Sequence, residues 1–238
     1  MFQATPVFLI LCGVGLCSFV SYNLVRMPAL APFTESLGAG PVIVGFIVAS
    51  STFTGVLLKL PIGALSDIVS RRRLMLLGVL AFALPPFAYP LVTNLEVLGA
   101  LRVIHGLATA VFTPLALASV ASMFSMNRGV ALGWYTSAAQ AGMLLGPMLG
   151  GWLVDTSGFS QTFLVAGGFG LMALFLYVVI LFLNPEEPPL VQVASYEILK
   201  NLQLGLKAVI GHPQMLATSM AEAAKMMANG LLMAFLPL

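Results

Sequence analysis

The stretch from Gly63 to Arg73 reads Gly-Ala-Leu-Ser-Asp-Ile-Val-Ser-Arg-Arg-Arg and is the densest cluster of charge in an otherwise apolar chain. Three consecutive arginines cannot lie in the hydrocarbon core of a bilayer, because one basic side chain at the centre of a membrane helix costs about 2.5 to 3.5 kcal/mol. We therefore expect this stretch to form a loop in water. Basic residues of short loops stay on the cytoplasmic side, so the loop is predicted to face the cytoplasm.

The composition identifies the bilayer as the solvent of this chain. Of the 238 residues, 60% are hydrophobic and 8% are charged, whereas a soluble domain carries roughly 25% charged residues. The net charge of +2 comes from bases collected in a few loops, which gives no reason to expect a nucleic-acid partner. Cys12 and Cys17 lie on different faces of the first apolar run, so they are expected to be buried thiols rather than a disulfide or a metal site.

Apolar runs on both sides of the arginines are long enough to cross a membrane, which takes about 20 residues as a helix. A seventh run begins near Gln214 and continues to Leu238. We predict a six-helix bundle over residues 1–183, a cytoplasmic connector over 184–212 and the incomplete first helix of a second bundle over 213–238. The six predicted spans are residues 7–32, 42–66, 74–93, 97–122, 130–153 and 161–183.

The distribution of charge between the spans gives a consistent topology with the amino terminus inside. If the arginine cluster is cytoplasmic, all bases of the connections fall on the cytoplasmic side, and the opposite side receives acids but no base. The cytoplasmic bases are Arg71, Arg72, Arg73, Arg128, Lys200 and Lys207, and the acids opposite them are Glu35, Glu96 and Asp155.

The chain after the sixth span is predicted to hold two helices. Residues 195–210 have apolar residues at helical spacing, which indicates an amphipathic helix on the inner membrane surface. It is interpreted as a tether between bundles, with a regulatory or partner-binding helix as the alternative. In the seventh run Glu222, Lys225 and Asn229 share one helix face, which must face protein or water. The run ends without a flanking charge, so we expect a fragment or an early termination of a longer membrane protein.

The arginine stretch also carries a resemblance. Gly63 and Asp67 followed by three arginines resemble the signature between helices two and three of the major facilitator superfamily, with Ser70 where a second glycine is usual. Gly63 allows close helix approach, and Asp67 can pair with arginines of the loop or cap a neighbouring helix. Breaking such a pair suits a gating role. The alternative to a gating role is that this stretch only sets the membrane topology and holds the loop in place.

A glycine pattern in the fifth span is similar to the motif of the antiporter branch of this superfamily. Three of its glycines repeat every fourth position, so one helix face lacks side chains and another backbone can approach closely. The proline adds a possible kink. The resemblance implies a seal or hinge typical of exporters, and the alternative is ordinary small-residue packing. The pattern consists of Gly133, Gly142, Gly146, Pro147, Gly150 and Gly151.

The fourth span contains Arg102 followed by His105 and Gly106, which resembles a family pattern of Arg, usually Gln, and Gly. The family arginine is implicated in proton coupling, and the resemblance carries this role to Arg102. His105 departs from the pattern. It could carry a proton near neutral pH or fill the hydrogen-bonding place of the glutamine. These two residues, with Thr109 and Thr113, form one stripe of the helix that is predicted to face a central water-filled cavity.

Further polar residues in the spans define the expected substrate cavity. Ser18, Tyr22 and Arg26 lie on one face of the first span, although Arg26 could also extend to the headgroups. Lys59 could line the cavity or extend toward the inner surface. The middles of the first six spans hold three bases and no carboxylate, which predicts a positive cavity that favours anionic or zwitterionic substrates. Glu222 is then the one mid-membrane carboxylate in view, and we predict that it takes part in coupling together with Lys225, while Asn229 lines the cavity.

The sequence thus predicts an all-α membrane protein with the amino-terminal six-helix bundle of this superfamily, built as a 3+3 repeat. The resemblance implies a secondary active transporter that works by alternating access. We expect proton-coupled efflux of a small organic compound across a bacterial inner membrane, with the proton gradient as energy source, no cofactor and no metal. The expected partners are the substrate, the bilayer and a carboxy-terminal half. No paired nucleophile and base, metal-spaced cluster or phosphate loop indicates an enzyme.

Three alternatives stay open at this point. A facilitator or symporter that imports an organic anion would share the fold. A non-transporting membrane sensor or assembly protein could have kept the same fold. A homodimer of half-length chains is the third alternative, and the odd number of spans argues against it because the chain ends would lie on opposite sides of the membrane.

Overall fold

The computed structural model describes residues 4–66 and 69–183, together with residues 211–214, 217, 218, 220, 221 and 224. The chain divides into two compact units, residues 1–191 and 192–238. Every regular element among the described residues is a helix, and the helices of the first unit are long and apolar enough to cross a membrane. The prediction of an all-α membrane fold is confirmed.

The described part of the first unit contains six helices of membrane length. Their order and approximate bounds follow the spans expected from hydropathy. The helices are α1 (Pro6–Ser36), α2 (Pro41–Leu65), α3 (Arg71–Leu91), α4 (Leu95–Met123), α5 (128–157) and α6 (159–183), the last two forming the element Arg128–Leu183.

The element Arg128–Leu183 is a helical hairpin. A straight helix of 56 residues would be about 84 Å long, which exceeds by far the roughly 30 Å hydrocarbon core of a bilayer. Gly158 turns the chain, with φ 78° and ψ 178° in the left-handed half of conformational space. A residue with a side chain is strained there, whereas glycine is not. The hydroxyl of Thr162 donates to the carbonyl of Gly158 at 2.9 Å and holds the turn.

Helix α1 contains a widened turn in its second half. Residues Val25–Ala29 form a π-helical segment around Pro28, because proline has no amide hydrogen and its ring displaces the carbonyl one turn before it. The helix then continues to Ser36, about one turn beyond the predicted end. It stops at Gly38, whose φ is 87° and whose amide donates to the carbonyl of Glu35 at 2.8 Å.

The arginine cluster lies in a helix rather than in a loop, and this part of the prediction is wrong. Helix α2 runs to Leu65 and α3 already begins at Arg71. The side chain of Ser70 accepts a hydrogen bond from the amide of Arg73 at 3.4 Å, which is the ordinary way in which a serine starts a helix. The arginines therefore form the first turn of α3, and the connection is limited to residues 66–70.

Charged residues lie at opposite ends of the bundle. Glu35 lies in the last turn of α1, Glu96 in the first turn of α4 and Asp155 near the end of α5. All three are exposed. Because successive helices run in opposite directions, these residues share one end, called the acidic end below. The first turn of α3 and the exposed Arg128 at the start of α5 share the other end, called the basic end. The separation agrees with the predicted topology, while the orientation in the membrane stays a prediction.

The helices bury two apolar clusters between them. The larger cluster lies toward the basic end and includes Phe8, Phe112 and Tyr177. The other lies toward the acidic end and includes Leu30 and Phe163. Helix α1 packs along α5 and α6, and α2 packs along α4. This arrangement leaves the middle of α4 enclosed by α1, α2 and α3, where the polar residues described next are found.

Candidate functional site

The most deeply buried charge of the described bundle is Arg102, on α4. Its side chain is 0% exposed, and it lies about 11 Å along the helix from the first residue, Leu95. A guanidinium group is a permanent cation in proteins. Burial of an uncompensated cation is costly, so the neighbours that accept its hydrogen bonds decide how it is held.

Neutral side chains from three other helices surround this guanidinium group. Its Nη2 donates to the hydroxyl of Ser51 on α2, and its Nη1 donates to the hydroxyl of Tyr89 on α3 at 3.5 Å. Its Cζ lies 5.9 Å from the ring centre of Tyr22 on α1, within the range of a cation–π contact. The Tyr22 hydroxyl donates in turn to Ser51 at 3.1 Å.

His105 completes this cluster from the next turn of α4. It is also 0% exposed, and its Nδ1 lies 3.1 Å from the hydroxyl of Tyr89. Its ring packs edge-on against the ring of Tyr22, with the centres 4.9 Å apart. The residues Tyr22, Ser51, Tyr89, Arg102 and His105 are called the Arg102 network below. The network joins four helices through side chains alone.

The hydrogen bonds of the network run outward from the guanidinium group. Tyr89 accepts from Arg102, so its own hydroxyl hydrogen is available for His105. A neutral His105 can then accept at Nδ1 and carry its hydrogen at Nε2. In the described structure that Nε2 has no hydrogen-bond partner, and neither has Nε of Arg102. The network therefore has more donors than acceptors.

No described carboxylate compensates the buried arginine. Among residues 4–66 and 69–183 the carboxylates are Glu35, Glu96 and Asp155, and all three are exposed at the acidic end. The guanidinium group of Arg102 contacts two hydroxyl groups and an aromatic face. The centre of the described bundle is therefore electropositive.

Close packing of α2 against α4 positions the two polar partners. A Cβ atom built on Gly106 would lie 2.5 Å from the carbonyl oxygen of Ser51 and 2.8 Å from Cβ of Thr54. Such distances leave no space for any side chain at position 106. The glycine thus brings the backbone of α2 within reach of the guanidinium group one turn earlier on α4.

A second cationic region lies on the outer surface of α2. Arg26 of α1 is half-buried, and its Nη2 donates to the hydroxyl of Thr52 at 3.5 Å. Thr52 and Lys59 are both exposed and lie seven residues apart, on the same face of α2 and about 10.5 Å apart along it. The small residues Gly45 and Ala49 continue this face, which is called the α2 stripe below.

Other predicted cavity residues lie inside the bundle instead. Ser18 is completely buried and its hydroxyl has no partner among the described residues. Thr109 is half-buried, and its hydroxyl donates to the carbonyl of Gly106 at 3.2 Å. Thr113 is half-buried one turn further along. The predicted stripe of α4 therefore faces neighbouring helices in this structure, and its contact with a water-filled space stays a prediction.

The predicted glycine motif forms a contact between two backbones. A Cβ atom built on Gly146 would lie 2.8 Å from Cβ of Asn23 and 3.0 Å from the amide nitrogen of Leu24. A Cβ atom on Gly150 would lie 2.9 Å from the carbonyl oxygen of Leu24 and would overlap the ring of Pro28. Gly142 approaches α1 in the same way one turn earlier. These glycines hold α5 against α1, beside its widened turn.

The remaining residues of this motif have other surroundings. Gly133 and Gly151 have no atom within 4 Å of a built Cβ, so they take no part in the contact with α1. Pro147 lies inside the element. The residue of this element with non-helical backbone angles is Gly158, so the chain continues as a helix through the proline.

The predicted gating residues are gathered at the basic end. Gly63 has open space around a built Cβ, and Asp67 lies outside the described residues. Arg71 and Arg72 are half-buried and Arg73 is exposed. The hydroxyl of Tyr177 on α6 donates to the carbonyl of Arg72 at 3.0 Å, so α6 holds the first turn of α3. The predicted residues of the seventh run, Glu222, Lys225 and Asn229, lie outside the described residues.

Sequence reasoning missed three members of these sites. Ser51 and Thr52 are consecutive hydroxyl residues in the middle of an apolar span, and this pair was the signal that could have revealed them. Their side chains point to opposite partners, Ser51 to Arg102 and Thr52 to Arg26. Tyr89 gave no such signal, because an aromatic residue near the end of a membrane helix is ordinary.

Comparisons with known proteins show the family to which this fold belongs. The chain is 28% identical over 147 residues to an uncharacterized MFS-type transporter of Methanocaldococcus jannaschii, which covers 61% of the chain and 38% of that protein. It is 34% identical over 170 residues to the multidrug resistance protein Stp of Mycobacterium tuberculosis, which covers 71% of the chain and 32% of that protein. It is 25% identical over 182 residues to the quinolone resistance protein NorA of Staphylococcus aureus, which covers 76% of the chain and 44% of that protein.

The match therefore spans less than half the length of each of these relatives. A family model described as Major Facilitator Superfamily matches residues 10–238. This superfamily consists of transporters, which agrees with the prediction that the chain is not an enzyme. Since the matched region includes nearly the whole chain and all six described membrane helices, the chain belongs to the Major Facilitator Superfamily.

Proposed function

We propose that this chain forms the amino-terminal bundle of a proton-coupled exporter of small organic compounds that carry an anionic group. The observation that carries the proposal is the Arg102 network, in which a completely buried cation is bonded through one hydroxyl group to a completely buried histidine. Buried ionisable groups inside a membrane bundle are costly and mark ion or substrate pathways.

The network has the composition that proton coupling requires. Histidine is the side chain whose ordinary pKa is near neutral pH, so it can take up and release a proton during a transport cycle. Arg102 stays charged and provides a fixed positive centre. Hydrogen bonds from α1, α2 and α3 connect this centre to the helices that would move.

The α2 stripe supports an anionic or zwitterionic substrate. Lys59 lies on this stripe and Arg26 of α1 is bonded to it through Thr52, and the described carboxylates all lie at the acidic end of the bundle. Arginine offers paired N–H groups that match a carboxylate. We propose that the carboxylate of the substrate binds near Arg26 and Thr52 and that Lys59 contributes a second positive charge along the pathway.

The direction of transport is proposed from the glycine contact and from the relatives. The close approach of α5 to α1 through Gly142, Gly146 and Gly150 agrees with the motif expected of exporters. Two of the relatives are named as a multidrug resistance protein and a quinolone resistance protein. Since all three relatives are more than twice as long as the matched segment, the proposal includes a second helical bundle that completes the substrate site.

The test uses inside-out membrane vesicles that contain the intact protein, with a fluorescent reporter of pH in the lumen. The probe is a zwitterionic quinolone, and ethidium serves as a purely cationic probe. We expect addition of the quinolone to energised vesicles to make the lumen less acidic, because protons leave as the substrate enters. Ethidium should give a smaller response.

Variants show whether the response depends on the buried site. Arg102→Gln should abolish the quinolone-dependent change in pH. Arg128→Gln removes an exposed arginine of the basic end and serves as the matched control, with the response retained. A response that persists in Arg102→Gln contradicts the proposed role of the buried arginine.

An organic-anion facilitator or symporter is the second candidate, and the excess of positive charge in the described spans favours it equally. It differs from the exporter in how proton movement is coupled to substrate movement. Quinolone uptake into the vesicles that proceeds without any change of luminal pH would identify a facilitator. Further acidification of the lumen during uptake would identify a symporter.

A further inference from the structure

The hydroxyl group of Tyr89 has a position that is unique among the described residues. It accepts from Nη1 of Arg102 at 3.5 Å and lies 3.1 Å from Nδ1 of His105. No other described group is hydrogen-bonded to both side chains. The ring is fixed from behind by Phe163 of α6, stacked with ring centres 5.0 Å apart and planes inclined by 30°. The hydroxyl is therefore held in place between the two basic groups.

One hydroxyl group can accept from Arg102 and donate to His105 only while His105 is neutral. A tyrosine hydroxyl has one hydrogen to donate and lone pairs that accept. With His105 neutral, Tyr89 accepts from Arg102 and donates to Nδ1. When Nδ1 takes up a proton it becomes a donor itself, so the cationic N–H groups of His105 and Arg102 then both point at the same oxygen, where their two positive charges repel each other. The hydroxyl hydrogen of Tyr89 must also rotate away from Nδ1.

The described surroundings of His105 provide no negative charge that would offset this repulsion. Tyr22 faces it from α1 and Tyr89 from α3, and both are neutral tyrosines. On α2 the nearest member of the network is Ser51, which is bonded to Arg102. Arg102 is the one charged side chain of the network, and the described carboxylates lie at the acidic end. The second His105 nitrogen, Nε2, has no described partner.

We propose that Tyr89 is a positioning residue that makes Arg102 and His105 a two-state switch. With His105 neutral, the hydroxyl joins the two side chains and so joins α3 to α4. A proton taken up at Nδ1 from one aqueous side makes His105 the donor to the Tyr89 oxygen and displaces Nη1 of Arg102 from it, while Nη2 of Arg102 keeps its bond to Ser51 of α2. Release of the proton to the other side restores the first state. The inference rests on the proposed proton coupling and adds the residue through which protonation of His105 frees one hydrogen-bond donor of Arg102.

The first test measures the proton positions directly. Nitrogen-15 labelling of histidine in the intact protein gives the spectrum, and a His105→Gln variant assigns the His105 signal; this 238-residue sequence contains one other histidine, the exposed His212. At alkaline pH we expect Nδ1 of His105 to be an unprotonated acceptor and Nε2 to carry the hydrogen. Tyr89→Phe should produce a mixture of both tautomers.

Tyr22→Phe is the matched control for the spectra. It also removes a hydroxyl from the network, but that hydroxyl donates to Ser51 and not to His105. The His105 tautomer should stay unchanged in this variant. A wild-type spectrum with the hydrogen on Nδ1, or a Tyr89→Phe spectrum identical to that of the wild type, overturns the inference.

The second test compares quinolone export with and without an imposed proton gradient. Tyr89→Phe should reduce the ratio of the two rates by about fivefold or more, the factor that one hydrogen bond supplies. Tyr135→Phe is the control, because its buried hydroxyl has no hydrogen-bond partner in the described structure, and the ratio should be kept. An unchanged ratio in Tyr89→Phe overturns the switch while leaving proton-coupled export intact. A wild-type protein without gradient-driven export refutes the proposed function, and the spectra still decide whether Tyr89 holds His105 in one tautomer.

Discussion

Substitution of Gly146 by alanine tests the contact between α1 and α5. The new Cβ atom would lie 2.8 Å from Cβ of Asn23, 3.0 Å from the amide nitrogen of Leu24 and 3.1 Å from the carbonyl carbon of Asn23. Two of these three atoms belong to the backbone of α1, which cannot rotate away as a flexible side chain would. The two helices therefore have to separate by several tenths of an ångström.

Two opposing effects set the size of the change. Overpacking of a tight contact costs about 1–3 kcal/mol, while replacing glycine by alanine inside a helix gains up to about 1 kcal/mol. The net destabilisation should be about 1–2 kcal/mol, which corresponds to a melting temperature about 2–8 °C lower for a protein of this size. Gly151→Ala is the matched control, because a built Cβ there has no atom within 4 Å. The control should show no loss of stability.

Reaction of a buried thiol gives the measurement. Cys17 is a free, buried cysteine of α1, so a thiol-reactive fluorescent dye reports unfolding of the detergent-solubilised protein in a background in which Cys17 is the single cysteine. Heating curves of Gly146→Ala and Gly151→Ala are then compared. Equal melting temperatures for the two variants would refute the close backbone contact at position 146 and the reasoning built on it.

Three further substitutions are expected to destabilise the bundle in the same measurement. Gly106→Ala would place a Cβ atom 2.5 Å from the carbonyl oxygen of Ser51 and should cost about 1–3 kcal/mol; a melting curve like that of the wild type would contradict the packing of α2 on α4. Asn94→Ala removes the side chain that accepts from the amide of Val97 at 2.8 Å at the start of α4 and should cost about 1 kcal/mol, whereas Asn94→Asp should retain most of the stability. Gly158→Ala forces a side chain into a residue with φ 78° and ψ 178° and should cost about 1–3 kcal/mol, and an unaffected variant would contradict the positive φ at this turn.

Hydropathy was sufficient to predict the helices, and the resemblance of three motifs was sufficient to predict the family. Six apolar runs gave six membrane helices. A membrane span is recognised from the apolar residues of its own segment, so no knowledge of distant contacts is needed. The arginine cluster was misplaced for a local reason as well. The serine that begins α3 was interpreted as the departure from a glycine motif, and its capacity to cap the helix at Arg73 was overlooked.

The contacts inside the site could be predicted only in part. The stripe of Arg102 and His105 followed from helical spacing, and the repeated glycines followed from their period. The rotation of each helix about its axis depends on packing with its neighbours, so the sequence could not show that Ser51 faces Arg102 or that Tyr89 reaches His105.

The turn at Gly158 restricts how the bundle can move. A single residue, Gly158, joins α5 to α6. A tilt of one helix at the acidic end should therefore tilt the other helix as well. Helix α5 packs closely on α1 through its glycines, and α6 contacts the start of α3 through Tyr177. A displacement of α5 or α6 at one membrane surface should therefore be passed along these helices to the other surface.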